Sequence, residues 1–271
     1  MNLDDLEVAS LLDEIYEQWG YDFRDYASAS MKRRVQRFIE REKLSSIIAL
    51  KVLLGTDPDC VRRFRDQIVV SVTSMFRDPE VYLAFRQTVL PLLNDLPLIR
   101  IWHAGCATGE EVYSMLILLQ EYDLLERARI YATDIDQVAV DVAKEGIYPL
   151  EKFGQYETDY KLAGGFSSFH NYYSEGYGFG VLKKELSQNV VWASHNLVTD
   201  SSFNEFHIIF CRNVLIYFNP RLQERVYYLL YDSLAEGGIV VLGRQESMRQ
   251  APFRSEFRAL TPREKIYQRL I

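Results

Sequence analysis

Cysteine is scarce in this chain of 271 residues. Cys60, Cys106 and Cys211 are an odd number, far apart, with no C-x-x-C pair and no histidine at ligand spacing. That argues against both a disulfide framework and a structural metal site, and no metal is expected. Long apolar runs are missing too: none approaches the ~20 residues of a membrane span. The N-terminus, MNLDDLEVASLLDEI, is acidic where a signal peptide is basic. The expectation is a cytoplasmic protein that does not insert into membranes. Positive charge is in deficit, 31 Lys and Arg against 38 Asp and Glu for a formal net of −7. General binding to nucleic acid, which runs on phosphate neutralisation, is therefore not expected. Repeats and low-complexity tracts are absent as well. What remains is a chain of ordinary globular composition, long enough to bury roughly 70–75% of its unfolded surface without staples.

Residues 1–72 show no strand alternation. Leu3, Leu6, Leu11, Leu12, Ile15 and Tyr16 recur at helical spacing, as do Val35, Phe38 and Ile39, and the stretch reads as a small helical domain. Within it, Met31–Lys43 carries six Lys and Arg against two Glu. Arg34, Arg37 and Arg41 are read on one helical face, away from Val35, Phe38 and Ile39. This is either a solvated face or a docking surface for an acidic partner. Residues 73–97 read as a linker with a helix, closed by Pro91 and Pro97.

From residue 98 to 271 strands and helices alternate, the pattern of a doubly wound parallel sheet. Ile99–His103, Arg129–Thr133, Val190–Ala193, His207–Phe210, Gly238–Leu242 and Lys265–Leu270 read as strands, with a helix over Pro220–Leu234. A Tyr-, Phe-, Ser- and Gly-rich stretch at about 165–187, with a turn near Ser174–Gly178, reads as an inserted antiparallel hairpin.

In such a sheet the ligand lies at the carboxyl ends of the strands. The loop after the first strand, His103–Glu111, has Gly105 and Gly109 but lacks G-x-G-x-x-G, and Glu110 and Glu111 open the following helix. Two acids there repel a nucleotide phosphate, which disfavours a nicotinamide cofactor. They suit a cationic ligand without phosphate, such as S-adenosylmethionine. Asp134 ends the second strand, where a carboxylate can accept both ribose hydroxyls; alone, it and Asp136 would read as helix-capping acids. Asn196 is either an adenine contact or a turn residue. Arg212 and Asn213, set between a buried strand and an apolar run, each need a partner or a ligand.

Together these motifs resemble the CheR family of chemotaxis receptor methyltransferases. The likeness rests on Thr73-Ser74-Met75-Phe76-Arg77-Asp78, on WHAGCATGEEVY from Trp102, on Ala132–Asp136, on FCRNVLIYF from Phe210, and on Gly237-Gly238. It covers nearly the whole chain. The resemblance implies a class I S-adenosylmethionine-dependent methyltransferase domain with a Rossmann-like doubly wound sheet and a small inserted β-subdomain, behind an N-terminal all-helical domain. It implies methyl transfer to glutamate carboxylates of chemoreceptor helices. Carried over by position, cofactor contacts fall on Ser71, Thr73, Arg77, Ala104, Glu110, Asp134, Asn196, Leu197, Arg212 and Asn213, and a catalytic pair on Arg77 and Tyr217. Arg34, Arg37 and Arg41 become docking residues for a glutamate-bearing helix in a monomeric enzyme; some relatives bind a receptor tail at the β-subdomain and others lack that tether, and the sequence does not decide between them. The chain departs from the family at Ser71, where Asn is usual, and at Arg244-Gln245, where His-Ser is usual. The alternatives are a methyltransferase of this fold with another acceptor and a non-catalytic sensor of the cofactor or its product.

Overall fold

Asp4 and Glu7 form a reciprocal capping box that starts α1 (Asp5–Trp19), whose Val8, Leu11, Leu12 and Ile15 are buried. It is followed by α2 (Ser28–Arg41), α3 (Ile47–Thr56, capped by the Ser46 hydroxyl) and α4 (Pro58–Ile68). The computed structural model describes residues 3–68 and 73–271. The chain divides into two compact units, Met1–Val70 with Leu215–Arg225, and Ser71–Val214 with Val226–Ile271.

The first unit buries the inner stripes of α1 to α4 around Phe38 and Phe64, whose rings meet edge to face at 5.1 Å. Residues 215–225, read from sequence as part of the sheet domain, group here instead. The Ala27 N–H donates to the Tyr217 carbonyl at 2.8 Å, Asn219 bonds the Asp25 backbone and side chain, and the Tyr26 and Phe218 rings pack at 5.2 Å. Backbone pairing and ring packing outweigh proximity along the chain.

α2 corrects one expectation about its basic face. Arg37 and Arg41 are exposed, but Arg34 is buried. The reason is its register: it lies three residues after Met31 and four before Phe38, so its stem joins the apolar stripe. Its guanidinium donates to the Ile68 carbonyl and lies 4.7 Å from the centre of the Tyr217 ring. Arg41 remains on the surface, bonded to Gln67 at 2.9 Å.

The second unit opens with α5 (Pro79–Thr88), whose Val81, Tyr82 and Phe85 enter the main core, so the expected linker is part of this unit. The elements that follow are β1 (Ile99–Ala104), α6 (Glu110–Glu121), β2 (Ala128–Asp134), α7 (Gln137–Glu145), β3 (Ile147–Pro149), α8 (Phe153–Leu162), β4 (Tyr173–Gly176) and β5 (Phe179–Leu182). The chain continues with β6 (Val190–Ser194), β7 (Phe206–Cys211), α9 (Pro220–Asp232), β8 (Leu234–Leu242), β9 (Phe257–Thr261) and β10 (Ile266–Arg269). The main sheet runs β6-β2-β1-β7-β8-β10-β9, parallel through its first five members and antiparallel at β10 and β9. The chain fills one side outward from β1 through β2 to β6, then crosses to β7 on the other side. This places the topological switch point at the carboxyl ends of β1 and β7.

The inserted hairpin is β4–β5, turning through Tyr177-Gly178, but it belongs to a three-stranded sheet ordered β3-β5-β4. A strand as short as β3 leaves no readable alternation, which is why the sequence shows only two. Gly180 is required here: a Cβ would come within 2.2 Å of the Phe153 ring.

Candidate active site

The switch point gathers four loops of the sheet unit: 73–78 before α5, 105–109 after β1, the turn after Asp134 of β2, and 212–214 after β7. Three of them, all but the turn after Asp134, share a backbone feature. Phe76, Asp78, Ala107 and Asn213 all have positive φ, between 48° and 59°. Non-glycine residues hold such angles only where their surroundings over-determine them, and they concentrate at functional sites.

The constraint is visible around Arg212. Its side chain is 1% exposed. One guanidinium nitrogen donates to Glu111 at 3.0 Å; the other donates to Asp78 at 2.8 Å and to the Arg77 carbonyl at 3.1 Å. Glu111 in turn binds His103 Nδ1 at 3.0 Å, and that ring stacks on Phe210 with centroids 4.9 Å apart. Burial would raise the Glu111 carboxyl, but the His103 hydrogen bond and the Arg212 charge overcome it and hold it below the usual carboxylate range. Arg212, expected as a cofactor contact, thus commits both terminal nitrogens to the protein. Its side chain pins the Arg77–Asp78 segment to the sheet. The Phe76 N–H completes the pinning by donating to Ser114 on α6 at 2.8 Å.

Asp134 closes the loop after β1. One oxygen accepts the Ala107 N–H at 2.8 Å and the other the Asp136 N–H at 3.0 Å, and burial pushes its carboxyl upward. A carboxylate has about four acceptor positions, so Asp134 keeps acceptor capacity for a ribose hydroxyl. Gly105, at φ 83°, allows the loop after β1 to lie against the loop after β7: a Cβ there would stand 2.6 Å from Val214. The chemistry of these residues fits S-adenosylmethionine, whose ribose diol calls for a carboxylate acceptor of the kind Asp134 offers.

The acids of α6 are arranged differently from the sequence expectation. Both lie in its first turn, and both carboxylates have internal partners. Glu111 belongs to Arg212 and His103. Glu110 is 1% exposed, accepts from Thr108 at 2.6 Å and Tyr156 at 3.4 Å, and is raised by burial.

Of the other expected residues, Ala104 ends β1 and is buried, Thr73 and Arg77 are half-buried, and Leu197 is buried. Asn196 follows β6 and works as a turn residue, its side-chain oxygen accepting the Val198 N–H at 2.9 Å. The Asn213 N–H donates to Glu246 at 3.0 Å. Ser71 lies outside the described residues. Tyr217 belongs to the helical unit, with Arg34 on its ring. Sequence reasoning missed Asp78, His103 and Glu246 as organisers. The available signal was the demand of Arg212 and Asn213 for partners. Among the described residues no cluster of His, Cys, Asp and Glu is arranged to hold a metal, and no helix is long and apolar enough to cross a membrane.

Two outcomes follow from this electrostatic frame. Arg212→Met leaves Glu111 and Asp78 facing each other without their cation and should lower stability by about 3–5 kcal/mol in denaturant titration at pH 7. Glu110→Gln should act oppositely. A carboxyl raised in the folded state contributes stability fully present below its unfolded pKa of about 4.3 and lost as pH rises through the folded value. The Gln variant should therefore melt higher than wild type at pH 7, with the gain fading toward pH 4.

The comparisons with known proteins agree with this architecture. The family model described as the CheR methyltransferase SAM binding domain matches residues 71–263, and the one described as the CheR methyltransferase all-alpha domain matches residues 6–69. The chain is 43% identical to "Putative methyltransferase Cher3" of Pseudomonas putida over 98% of its own length and 97% of that protein's. It is 29% identical to "Chemotaxis protein methyltransferase 1" of Vibrio cholerae over 92% and 91% of the two lengths. It is also 30% identical, over 98% of its own length, to 28% of an uncharacterized 104.1 kDa protein of Rhodobacter capsulatus. With both domains matched in order over most of its length, the chain belongs to the CheR family of S-adenosylmethionine-dependent methyltransferases.

Proposed function

We propose that this enzyme methylates glutamate side chains of chemoreceptors, forming methyl esters in a cytoplasmic adaptation pathway. The observation that carries the reading is the state of the acids on the switch-point loops and the first turn of α6. Glu111 and Asp78 are held by Arg212, Glu110 by Thr108 and Tyr156, and Asp134 by two backbone N–H groups. Every one of these carboxylates is engaged, so the site suits a nucleophile that needs no deprotonation. A glutamate, with an ordinary pKa of about 4.3, arrives ionised.

S-adenosylmethionine supplies, when bound, a methyl carbon on a positively charged sulfur that leaves as the neutral thioether of S-adenosylhomocysteine. The chain's own part is to hold the acceptor. Arg77 offers a planar fork of donors to the glutamate carboxylate and fixes one oxygen for in-line attack. Its backbone cannot swing away while its carbonyl is held by Arg212. Tyr217 is the second residue of the proposed pair, orienting an oxygen through its hydroxyl. Arg37 and Arg41, exposed on α2, steer an acidic receptor helix. Arg34 contributes instead through the ring of Tyr217. A receptor tail could add a strand to the β3-β5-β4 sheet, and the enzyme acts as a monomer.

Incubation with tritiated S-adenosylmethionine and host membranes should label receptor-sized protein, and mild base should release the label as methanol, the mark of a methyl ester. Label stable to base would indicate a different acceptor atom. Tyr217→Phe should lower kcat ~10- to 100-fold, within the range of a positioned proton-bearing group, while S-adenosylhomocysteine binds as to wild type in calorimetry. Undiminished turnover would remove Tyr217 from the mechanism.

A further inference from the structure

The loop Gly243–Ser247 is fastened to the loop after β7 by one carboxylate. Glu246 is buried and accepts N–H groups from Gly243 at 2.6 Å, Val214 at 2.9 Å and Asn213 at 3.0 Å. The approach is so close that a Cβ on Gly243 would lie 2.6 Å from the Glu246 carboxylate and 2.8 Å from the Asn213 nitrogen. Arg244, between these anchors, therefore has its backbone fixed beside the Arg212–Val214 loop.

Its side chain is in the opposite condition. It is 53% exposed, and its ionic neighbour is the outer oxygen of Asp78 at 3.6 Å, beyond hydrogen-bond reach. Asp78 is already satisfied from within, because its other oxygen takes the Arg212 bond at 2.8 Å. No hydrogen bond ties down the Arg244 guanidinium among the described residues, while its charge stands next to the residue after Arg77. A rigidly based guanidinium with uncommitted donors, one residue from the group assigned to the acceptor carboxylate, is arranged to take a second carboxylate.

We propose that Arg244 is a specificity-determining residue that binds an acidic side chain of the acceptor segment neighbouring the glutamate to be methylated. This rests on the glutamate-methylation reading. It goes beyond that reading by assigning the acceptor a second negative charge and naming the group that recognises it. The arrangement selects acceptors in which an Asp or Glu adjoins the methylated position over those with a neutral or basic neighbour.

The test uses the full-length enzyme and a purified cytoplasmic fragment of a chemoreceptor from the same cell, with methylated positions mapped by base-labile label. Arg244→Glu should raise KM for the fragment at least ten-fold, with kcat and S-adenosylhomocysteine affinity within about two-fold of wild type. Changing the acidic neighbours of the mapped glutamates to Lys should penalise wild type and restore much of the KM of Arg244→Glu. A merely structural role at Asp78 would give no such rescue. An unchanged KM in Arg244→Glu, or a loss that no charge exchange recovers, overturns the role of Arg244 while leaving glutamate methylation standing. Absence of base-labile label with wild type overturns the underlying reading, and the inference with it.

Discussion

Arg212 is the constraint on which the candidate site depends. A guanidinium with 1% exposure costs several kcal/mol to desolvate unless its surroundings repay it with charge and hydrogen bonds. Here the repayment comes from two places along the chain: Glu111 at the start of α6, and the adjacent Arg77 carbonyl and Asp78 carboxylate just before α5. The same bonds that neutralise the buried cation tie the 73–78 segment, the helix after β1 and the loop after β7 into one body. A loop bearing a proposed catalytic residue would ordinarily be among the most mobile parts of a fold. Arg77 is instead held by its own backbone, which leaves its side chain to act from a fixed origin.

The strained residues follow from that arrangement. Asp78 must turn through a left-handed conformation to present its carboxylate to Arg212, and Phe76 does so to deliver its N–H to Ser114 while its ring is buried. On the far side of the cation Asn213 does the same, and its N–H reaches Glu246. Each left-handed residue would cost of order 1 kcal/mol or more in isolation. Each is paired with a hydrogen bond to a buried or partly buried group, whose loss would cost a similar amount. Strain and satisfaction are therefore local to the same few residues, which is how a precise loop geometry survives without disulfides or metal.

Much of this was legible in the sequence, for identifiable reasons. The parallel strands announce themselves as short apolar runs, and the functional loops follow at their carboxyl ends, so Ala104, Asp134 and Arg212-Asn213 could be placed before any coordinates. The hairpin at β4–β5 carried its own turn. What stayed hidden depends on side-chain direction or on pairing between distant segments. Arg34 shares its spacing with Arg37 and Arg41 yet is buried, since position 34 also falls at the edge of the Met31–Phe38 stripe and its long stem can reach the Ile68 carbonyl. Leu215–Arg225 joins the helical unit through backbone bonds to Asp25 and Ala27 that no local pattern foretells. The edge strand β9 and the three-residue β3 are too short or too polar to stand out.

The acids of α6 show how a correct exclusion can rest on an incomplete account. Glu110 and Glu111 were read as partners for a cationic methyl donor; the structure turns both inward. Their effect on ligand choice survives in another form. An exposed pair of carboxylates beside the site would favour the cationic donor but repel an anionic acceptor, and an enzyme that brings a sulfonium together with a glutamate must accommodate both. Committing Glu111 to Arg212 and His103, and Glu110 to Thr108 and Tyr156 with the Lys152 ammonium 4.0 Å away, offsets the repulsion. Arg77 and Arg244 lie on the 73–78 and 243–247 loops rather than on the glycine loop. Charge in the candidate site is sorted by depth: acids are spent internally, and the outward-facing groups are those an acidic acceptor would meet.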